Sequence, residues 1–290
     1  MVHLIFKLFI INNSLVSIQK LRNNIVEKVI STNILLLLLI LYFLQVIALT
    51  PDIDKDVPLP NLKYIHLDGV YNNVREDFEI EKFQDLTIFD SINTMRDWIS
   101  YSCEKCFKSK GIQEILNYPS TEKFDLIITE AAWGECFLGF IHKFGYPPVV
   151  AVSAYGVVPQ VGMTMGTSFN PAYMPNMLLE HSPENTFLRR LQNFLYHNLY
   201  IYMYYNKQLP ELEAMAKKYL QQDMPSFAPI LANYSIFLAN TLLGFDKPIP
   251  LSPNIIPVGG LHIKPKPDPL PKVSRHFPLH ISLCRFLGTI

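Results

Sequence analysis

Glu130 is the side chain whose type and position point most directly to chemistry. It ends the clearest predicted strand, residues 124–130, a continuous apolar run bounded by polar residues that is typical of a strand covered on both faces. A carboxylate at the carboxyl end of such a strand faces the crevice in which open α/β sheets bind ligands. A second interpretation stays open: the carboxylate could be a charge at the N-terminus of the following helix, favoured by its dipole.

Cys103 and Cys106 form a lone C-x-x-C motif. A zinc site would need two more thiolate or imidazole ligands at comparable spacing, and the chain has no second pair of this kind. The surrounding residues predict a helix, on which positions three apart share a face. We therefore interpret the motif as structural, and four cysteines in 290 residues do not make a disulfide framework.

Several classes of function are excluded by what the sequence lacks. It contains no G-x-S-x-G motif of a serine hydrolase and no G-x-x-x-x-G-K phosphate loop. The 25 Lys and Arg residues balance 25 Asp and Glu residues, so no positive field attracts nucleic acid. The hydrophobic content of 49% is enough for a full core.

The elements that must position Glu130 alternate between short apolar runs and helical patterns, which is typical of an α/β fold. Residues 148–153 predict a second buried strand after a helix at 134–144, and such βαβ units close into a parallel sheet. Further strands are predicted at 62–67, 235–240 and 254–258, and helices at 82–108, 112–116 and 186–222. Pro210 should kink or break the last helix.

Two further segments bear on a binding site. Residues 156–183 are rich in Gly, Pro, Met, Ser and Asn without a period, which predicts a long irregular loop of functional importance. This loop and the aromatic residues Trp133, Tyr155 and Phe169 are candidates for lining an apolar cleft, although the same rings could be core. Aromatic side chains surround most of the predicted helix at 187–205, which is either packed in the core or rests against a bilayer; core packing is the simpler interpretation.

The N-terminal region carries a signal-like segment at residues 34–49, apolar except for Tyr42 and Gln45 and preceded by basic residues. As a helix it would span roughly 24 Å, short of the ~30 Å hydrocarbon core, so a secretory signal is favoured over a membrane span. The alternative is that residues 46–51 are a buried strand. Residues 1–33 are left unassigned.

Three motifs together carry a family resemblance: residues 124–131, residues 169–175 and, above all, residues 254–265 (NIIPVGGLHIKP). They resemble the N-terminal domain of animal UDP-glycosyltransferases, closest to the insect members. The resemblance implies a Rossmann-like parallel sheet flanked by helices, the N-terminal half of a GT-B-type glycosyltransferase. It assigns residues 50–272 to an acceptor-binding domain and leaves 273–290 as a divergent tail.

What the resemblance implies for function is transfer of a hexosyl or glucuronosyl group from a UDP-sugar to a small lipophilic hydroxyl acceptor, with no cofactor besides that co-substrate. In such enzymes a histidine takes the acceptor proton, which is general-base catalysis worth roughly 10²–10⁴-fold. An acidic residue that orients the histidine falls on Glu130. The implied location is the lumen of the endoplasmic reticulum, associated with the membrane.

The catalytic base has no counterpart in this resemblance. In the family the histidine follows the first strand, whereas here an Ile- and Leu-rich run without histidine precedes Val46, and nothing around His3 matches. A donor domain is also not found after residue 272. We therefore expect the 290 residues to carry the acceptor half only and to be inactive alone, binding a UDP-sugar only if a donor domain is supplied. The alternative is a non-catalytic module that binds a lipophile or a protein partner.

Overall fold

The computed structural model describes residues 6–11, 44–51, 61–70, 86–119, 121–132, 134–167, 169–172, 174, 176, 186–220, 223–242 and 249–260. Its strands are β1 (Phe6–Ile11), β2 (Leu44–Thr50), β3 (Leu62–His66), β4 (Leu126–Glu130), β5 (Val149–Ser153), β6 (Ile236–Ala239) and β7 (Ile255–Pro257). Its α-helices are α1 (Ile88–Lys108), α2 (Lys110–Leu116), α3 (Leu138–Lys143), α4 (Pro159–Thr164), α5 (Phe187–Met203), α6 (Leu209–Leu220) and α7 (Phe227–Ala232). A 3₁₀ helix at Glu135–Phe137 leads into α3, and a π-helical turn at Tyr204–Gln208 joins α5 to α6.

The strands form one parallel sheet in the order β3-β2-β1-β4-β5-β6-β7. The chain order reverses between β1 and β4, which makes this pair the switch point of a doubly wound sheet. Because Ile11 lies opposite Thr129, the carboxyl end of β1 meets the end of β4 that carries Glu130. The predicted Rossmann-like α/β fold is confirmed.

The core lies between the sheet and the helices that cover it. Helix α1 begins after Thr87, whose side chain accepts a hydrogen bond from the Asp90 amide, and it buries one face that includes Ile99 and Phe107. Phe107 stacks on Tyr219 of α6, with ring centroids 5.0 Å apart. Such contacts join α1 and α6 into one layer of helices.

A disulfide that the sequence analysis did not foresee joins this layer to the loop after β4. Cys103 of α1 is bonded to Cys136 of the 3₁₀ helix, 33 residues away in the chain. Cys106, the other member of the C-x-x-C motif, is a buried free thiol. One cysteine of the motif therefore forms a structural crosslink. Local spacing could not show that Cys136 is the residue bonded to it.

Part of the signal-like segment belongs to the sheet. Residues 44–49 lie in β2, where Ala48 and Leu49 are fully buried and pair with Tyr64 and Ile65 of β3. For these residues the buried-strand alternative describes the structure. Residues 34–43 lie outside the described residues, so a secretory signal over 34–49 stays a prediction, as do the assigned boundaries of 1–33, 50–272 and 273–290.

One helical prediction needs correction. Within the predicted loop 156–183, Pro159–Thr164 form helix α4, with the proline in the first turn where its missing N–H costs nothing. The long helix predicted over 186–222 is interrupted just before Pro210, where the chain widens into the π-helical turn. The wider turn relieves the clash between a proline ring and the carbonyl four residues earlier.

Helix α5 departs from the core-packing interpretation. It buries Asn193, Tyr196 and His197, but Phe194 and Tyr202 are more than half exposed. Only one of its faces is therefore core. None of the helices in the described ranges combines the length and hydropathy of a membrane-spanning segment.

Candidate functional site

Glu130 lies where the sequence placed it, at the carboxyl end of β4 beside Val152 of β5. Its side chain is 9% exposed, and one carboxylate oxygen accepts a hydrogen bond of 3.2 Å from the Ala132 amide. Burial raises the pKa of this carboxyl to about 7, although hydrogen bonds from the backbones of Ala132, Ala131 and Ala154 oppose the shift. A group that gains and loses a proton near neutral pH suits acid–base chemistry.

The turn after Glu130 depends on a glycine. A Cβ atom on Gly134 would collide with the backbone carbonyl of Glu130. The chain can therefore turn back closely on the end of β4 only with glycine at this position. This close approach leads directly into the 3₁₀ helix that carries Glu135.

The three predicted aromatic residues separate in the structure. Tyr155 follows β5 and is 41% exposed, and its pKa is raised by burial and by the nearby charge of Glu130. Phe169 instead stacks on His197 of α5, with ring centroids 4.1 Å apart. Trp133 lies outside the described residues. The structure thus brings Tyr155 close to Glu130 and places Phe169 against α5, while the role of all three in binding stays a prediction.

A small cavity opens beside the loop that holds Glu130. Its volume is about 30 Å³, enough for a single water. Its lining combines apolar residues of α1 with polar residues of α4, α5 and the π-helical turn: Ile92, Met95, Ile99, Ala132, Val158, Pro159, Gln160, Asn176, Tyr200 and Gln208. Because Ala132 both lines the cavity and donates to Glu130, the cavity begins two residues from that carboxylate. A larger ligand would require α1, α4 and α5 to move apart.

The polar side of the cavity leads to a second buried carboxyl. The Tyr200 hydroxyl donates to the Gln160 side-chain oxygen at 2.9 Å, and the Tyr204 hydroxyl donates to Glu135 at 3.2 Å. Burial raises the pKa of Glu135 to about 7, while hydrogen bonds from Tyr204 and Gln160 act in the opposite direction. The second oxygen of Glu135 has no hydrogen-bond partner within the described part of the chain.

A larger cavity, of about 320 Å³, lies between the start of β2 and the segment before β4, lined by Gln45, Ile47, Tyr118, Pro119 and Glu122. Both of these segments are at the amino ends of their strands. Ligands of open α/β sheets bind at the carboxyl ends, so we place the candidate site at the smaller cavity. Among the described residues, no group of three His, Cys, Asp or Glu side chains is arranged to hold a metal ion.

The sequence analysis found Glu130 but missed most of the cavity. Ile92, Met95 and Ile99 repeat at helical spacing, which predicts a buried face of α1 without revealing that the face borders a cavity. Gln160, Tyr200 and their neighbours come from separate elements, and no local pattern connects them.

Comparison with known proteins identifies the class. The family model described as UDP-glucoronosyl and UDP-glucosyl transferase matches residues 62–278. The chain therefore belongs to the UDP-glycosyltransferase family, whose members use a UDP-sugar as co-substrate, and the predicted membership is confirmed.

Several individual members of that family are similar to this chain. UDP-glucosyltransferase 2 of Dactylopius coccus is 31% identical over 218 residues, which cover 74% of this chain and 41% of that protein. UDP-glycosyltransferase UGT5 of the same insect is 30% identical over 226 residues, covering 75% and 42%. Human UDP-glucuronosyltransferase 2B17 is 26% identical over 219 residues, covering 71% and 40%. The chain thus spans about two fifths of the length of these relatives.

Among solved structures, the chain is similar to a Phytolacca americana glycosyltransferase complexed with UDP-2fluoro-glucose and pterostilbene. The TM-score is 0.37 at 11% sequence identity, covering 88% of this chain and 54% of that one.

Proposed function

We propose that this chain supplies the acceptor-binding half of a UDP-glycosyltransferase that transfers a hexosyl or glucuronosyl group to a small lipophilic hydroxyl compound. The observation that carries the proposal is the position of Glu130, a buried carboxyl with a pKa near 7 at the switch point of the sheet. It lies inside the family-matched segment, next to a cavity with an apolar wall.

In this structure the cavity has room for a single water, and once α1, α4 and α5 move apart its walls would suit an acceptor with a lipophilic body and a hydroxyl group. The face of α1 formed by Ile92, Met95 and Ile99 would cover the apolar body, because burying such surface is favourable. Gln160 and Tyr200 on the opposite wall can exchange hydrogen bonds with polar groups. A cavity of mixed lining orients a ligand by its few polar contacts.

In the proposed reaction the acceptor oxygen bonds to the anomeric carbon of the sugar, the bond from that carbon to UDP breaks, and UDP leaves. The acceptor proton passes to a base, with inversion at the anomeric carbon. Glu130 would stabilise the positive charge that this base acquires, since an ionised carboxylate in a low-dielectric site interacts strongly with a nearby cation. We assign no residue of this chain as the base.

We also propose that the chain works in the lumen of the endoplasmic reticulum, associated with the membrane. The buried Cys103–Cys136 disulfide supports this location, because disulfides persist in oxidising compartments and are rare in the cytosol.

Binding of 1-naphthol, a lipophilic phenol, to the purified 290-residue chain tests the proposal by titration calorimetry. Met95→Trp would place a large ring in the cavity and should weaken binding at least tenfold, about 1.4 kcal/mol. Phe89→Trp, on an exposed position of the same helix, is the matched control and should bind like the parent. Equal binding by all three proteins would show that the acceptor does not bind at this cavity.

Turnover distinguishes the enzyme from the alternative of a non-catalytic binding module. We expect the 290 residues mixed with UDP-glucose and 1-naphthol to form no glucoside, and glucoside formation would contradict this expectation. Fused or mixed with the donor half of a relative, the chain should form product, and Glu130→Gln should reduce the rate at least a hundredfold. Binding without any turnover in that combination would favour the binding module.

A further inference from the structure

Gln160 is a polar side chain that lines the acceptor cavity while it stays almost fully buried. It lies in the first turn of α4, is 2% exposed, and borders the cavity together with Tyr200 of α5. Its side-chain oxygen accepts a hydrogen bond of 2.9 Å from the Tyr200 hydroxyl, and its amide nitrogen donates to the buried carboxyl of Glu135. Because these two bonds fix the orientation of the amide, the oxygen is the end that needs a donor from the cavity side.

The bond between Tyr200 and Gln160 joins two walls of the cavity. It links α5 to α4 through side chains 40 positions apart in the chain. These two helices and α1 must move apart before the cavity admits anything larger than a single water. Separation of α4 from α5 breaks the bond and leaves a buried amide oxygen without a donor, which is unfavourable. A ligand that brings its own donor to Gln160 therefore binds better than one that does not.

The hydroxyl that receives the sugar is not this donor. A hydroxyl group has one proton to donate, and in the proposed reaction that proton passes to the base whose positive charge Glu130 stabilises. While it donates to Gln160, the same hydroxyl would direct its proton away from the base. The donor to Gln160 therefore belongs to a second polar group of the acceptor.

We propose that Gln160 selects acceptors that carry a second hydrogen-bond donor, such as a second hydroxyl group, on the same lipophilic body as the hydroxyl that receives the sugar. This inference rests on the acceptor site proposed above and narrows its substrate class to dihydroxy compounds. A buried polar group that must pair with the ligand discriminates between ligands far more strongly than an apolar wall does. The apolar face of α1 covers monohydroxy and dihydroxy compounds alike, so the difference between them depends on Gln160.

Titration calorimetry of the purified 290-residue chain with isomeric naphthalenediols and their monomethyl ethers tests the proposal. Each ether keeps the ring system of its diol but lacks the second donor. The best-bound diol should bind about tenfold or more tightly than its ether. Gln160→Leu, which has a side chain of similar size without an acceptor, should bring the two affinities together. The proposal is wrong if no diol binds the parent protein more tightly than its ether.

A second variant separates selection by Gln160 from a purely structural role of the bond. In Tyr200→Phe no bond has to break when the cavity opens, so this variant should bind 1-naphthol about fivefold more tightly than the parent. Tyr202→Phe, the same change at an exposed position of α5, is the matched control and should bind like the parent. Weaker binding by Tyr200→Phe would overturn the proposal, because the bond would then support the site instead of competing with the acceptor.

The outcomes distinguish this inference from the proposed function. If Met95→Trp weakens binding of 1-naphthol while diols and ethers bind the parent equally, the acceptor site stands and only the selection by Gln160 is refuted. If neither 1-naphthol nor any diol binds the parent, both proposals are refuted. Urea midpoints close to that of the parent confirm that the variants fold.

Discussion

Glu130 and Glu135 lie five residues apart, and burial raises the pKa of each to about 7, yet their surroundings differ. Glu130 lies at the rim of the sheet, where backbone amides of two strand ends meet its carboxylate. Glu135 is sealed in the helical layer under Tyr204, with its segment tied to α1 through Cys136.

The difference shows that a raised pKa alone does not mark a catalytic group. Perturbed carboxyls occur in structural networks as well as in active sites, and both carboxyls here owe their shift first to burial. Position separates them, because only Glu130 ends a strand at the switch point where such sheets bind ligands. We therefore expect Glu130 to matter for transfer and Glu135 for stability.

The largest effect should come from the crosslink beside Glu135. Replacing Cys103 and Cys136 together by alanine releases a loop of about 33 residues, which should lower the free energy of unfolding by about 3–4 kcal/mol. Urea denaturation measures the loss. Cys106→Ala, which removes a buried but unbonded thiol, should cost about 1 kcal/mol, and an equal cost for both variants would contradict the disulfide.

The second-largest effect should come from truncating each carboxyl, and its size should differ between Glu135 and Glu130. Glu135→Ala leaves the buried Tyr204 hydroxyl without its acceptor and opens a void, for which we expect a loss of about 3 kcal/mol. Glu130→Ala should cost about 1 kcal/mol, because it removes a hydrogen bond of 3.2 Å from the Ala132 amide and leaves no buried side-chain hydroxyl without an acceptor. Thermal unfolding of the two variants checks the order, and a larger loss for Glu130→Ala would reverse the comparison.

The pH dependence of stability should reveal both carboxyls. Their folded pKa values lie above the ordinary 4.5, so between pH 4.5 and about 7 the folded protein binds more protons than the unfolded chain. The free energy of unfolding should therefore fall as pH rises through this window. We expect Glu135→Gln to remove about 2 kcal/mol of that decline. Urea titrations at pH 5 and pH 8 measure it, and an unchanged slope would show that Glu135 is ionised throughout.

The smallest effect concerns the hydrogen bond that Glu135 receives. Tyr204→Phe removes the hydroxyl bonded to this carboxyl and should cost about 1 kcal/mol. Since that bond lowers the pKa of Glu135, the variant should also shift its titration to higher pH. Tyr202→Phe, at an exposed site on α5, should change neither quantity, and a similar loss from both variants would indicate that the bond contributes nothing.

Most elements around β4 were predictable because each has a strong local pattern. The buried run that ends in Glu130 and the amphipathic spacing of α1 report burial directly. Strand β1 was not predicted, although the turn residues Asn12-Asn13-Ser14 follow it, because Phe6–Ile11 is a short run and only its pairing between β2 and β4 makes it central. Helix α4 was missed because its residues resemble a loop in composition.

The candidate site was predictable only where a local pattern marked a residue. Glu130 followed from its place at the end of a strand. Apart from Ala132, the partners of Glu135 and the walls of the cavity lie 23 to 73 positions from Glu135 in the chain, and a single sequence carries no signal for such contacts. The exposed face of α5 was misjudged for the same reason, because aromatic content does not tell which face packs.

By itself, the sequence determined the α/β class, the strand that carries Glu130 and the family to which the chain belongs, because short-range patterns and motifs encode them. Only the tertiary structure decided that Cys103 bonds to Cys136, that β1 and β4 form the switch point, and that one side of α5 faces outward. These outcomes depend on which distant segments pack together, and packing is settled by the burial of the whole chain.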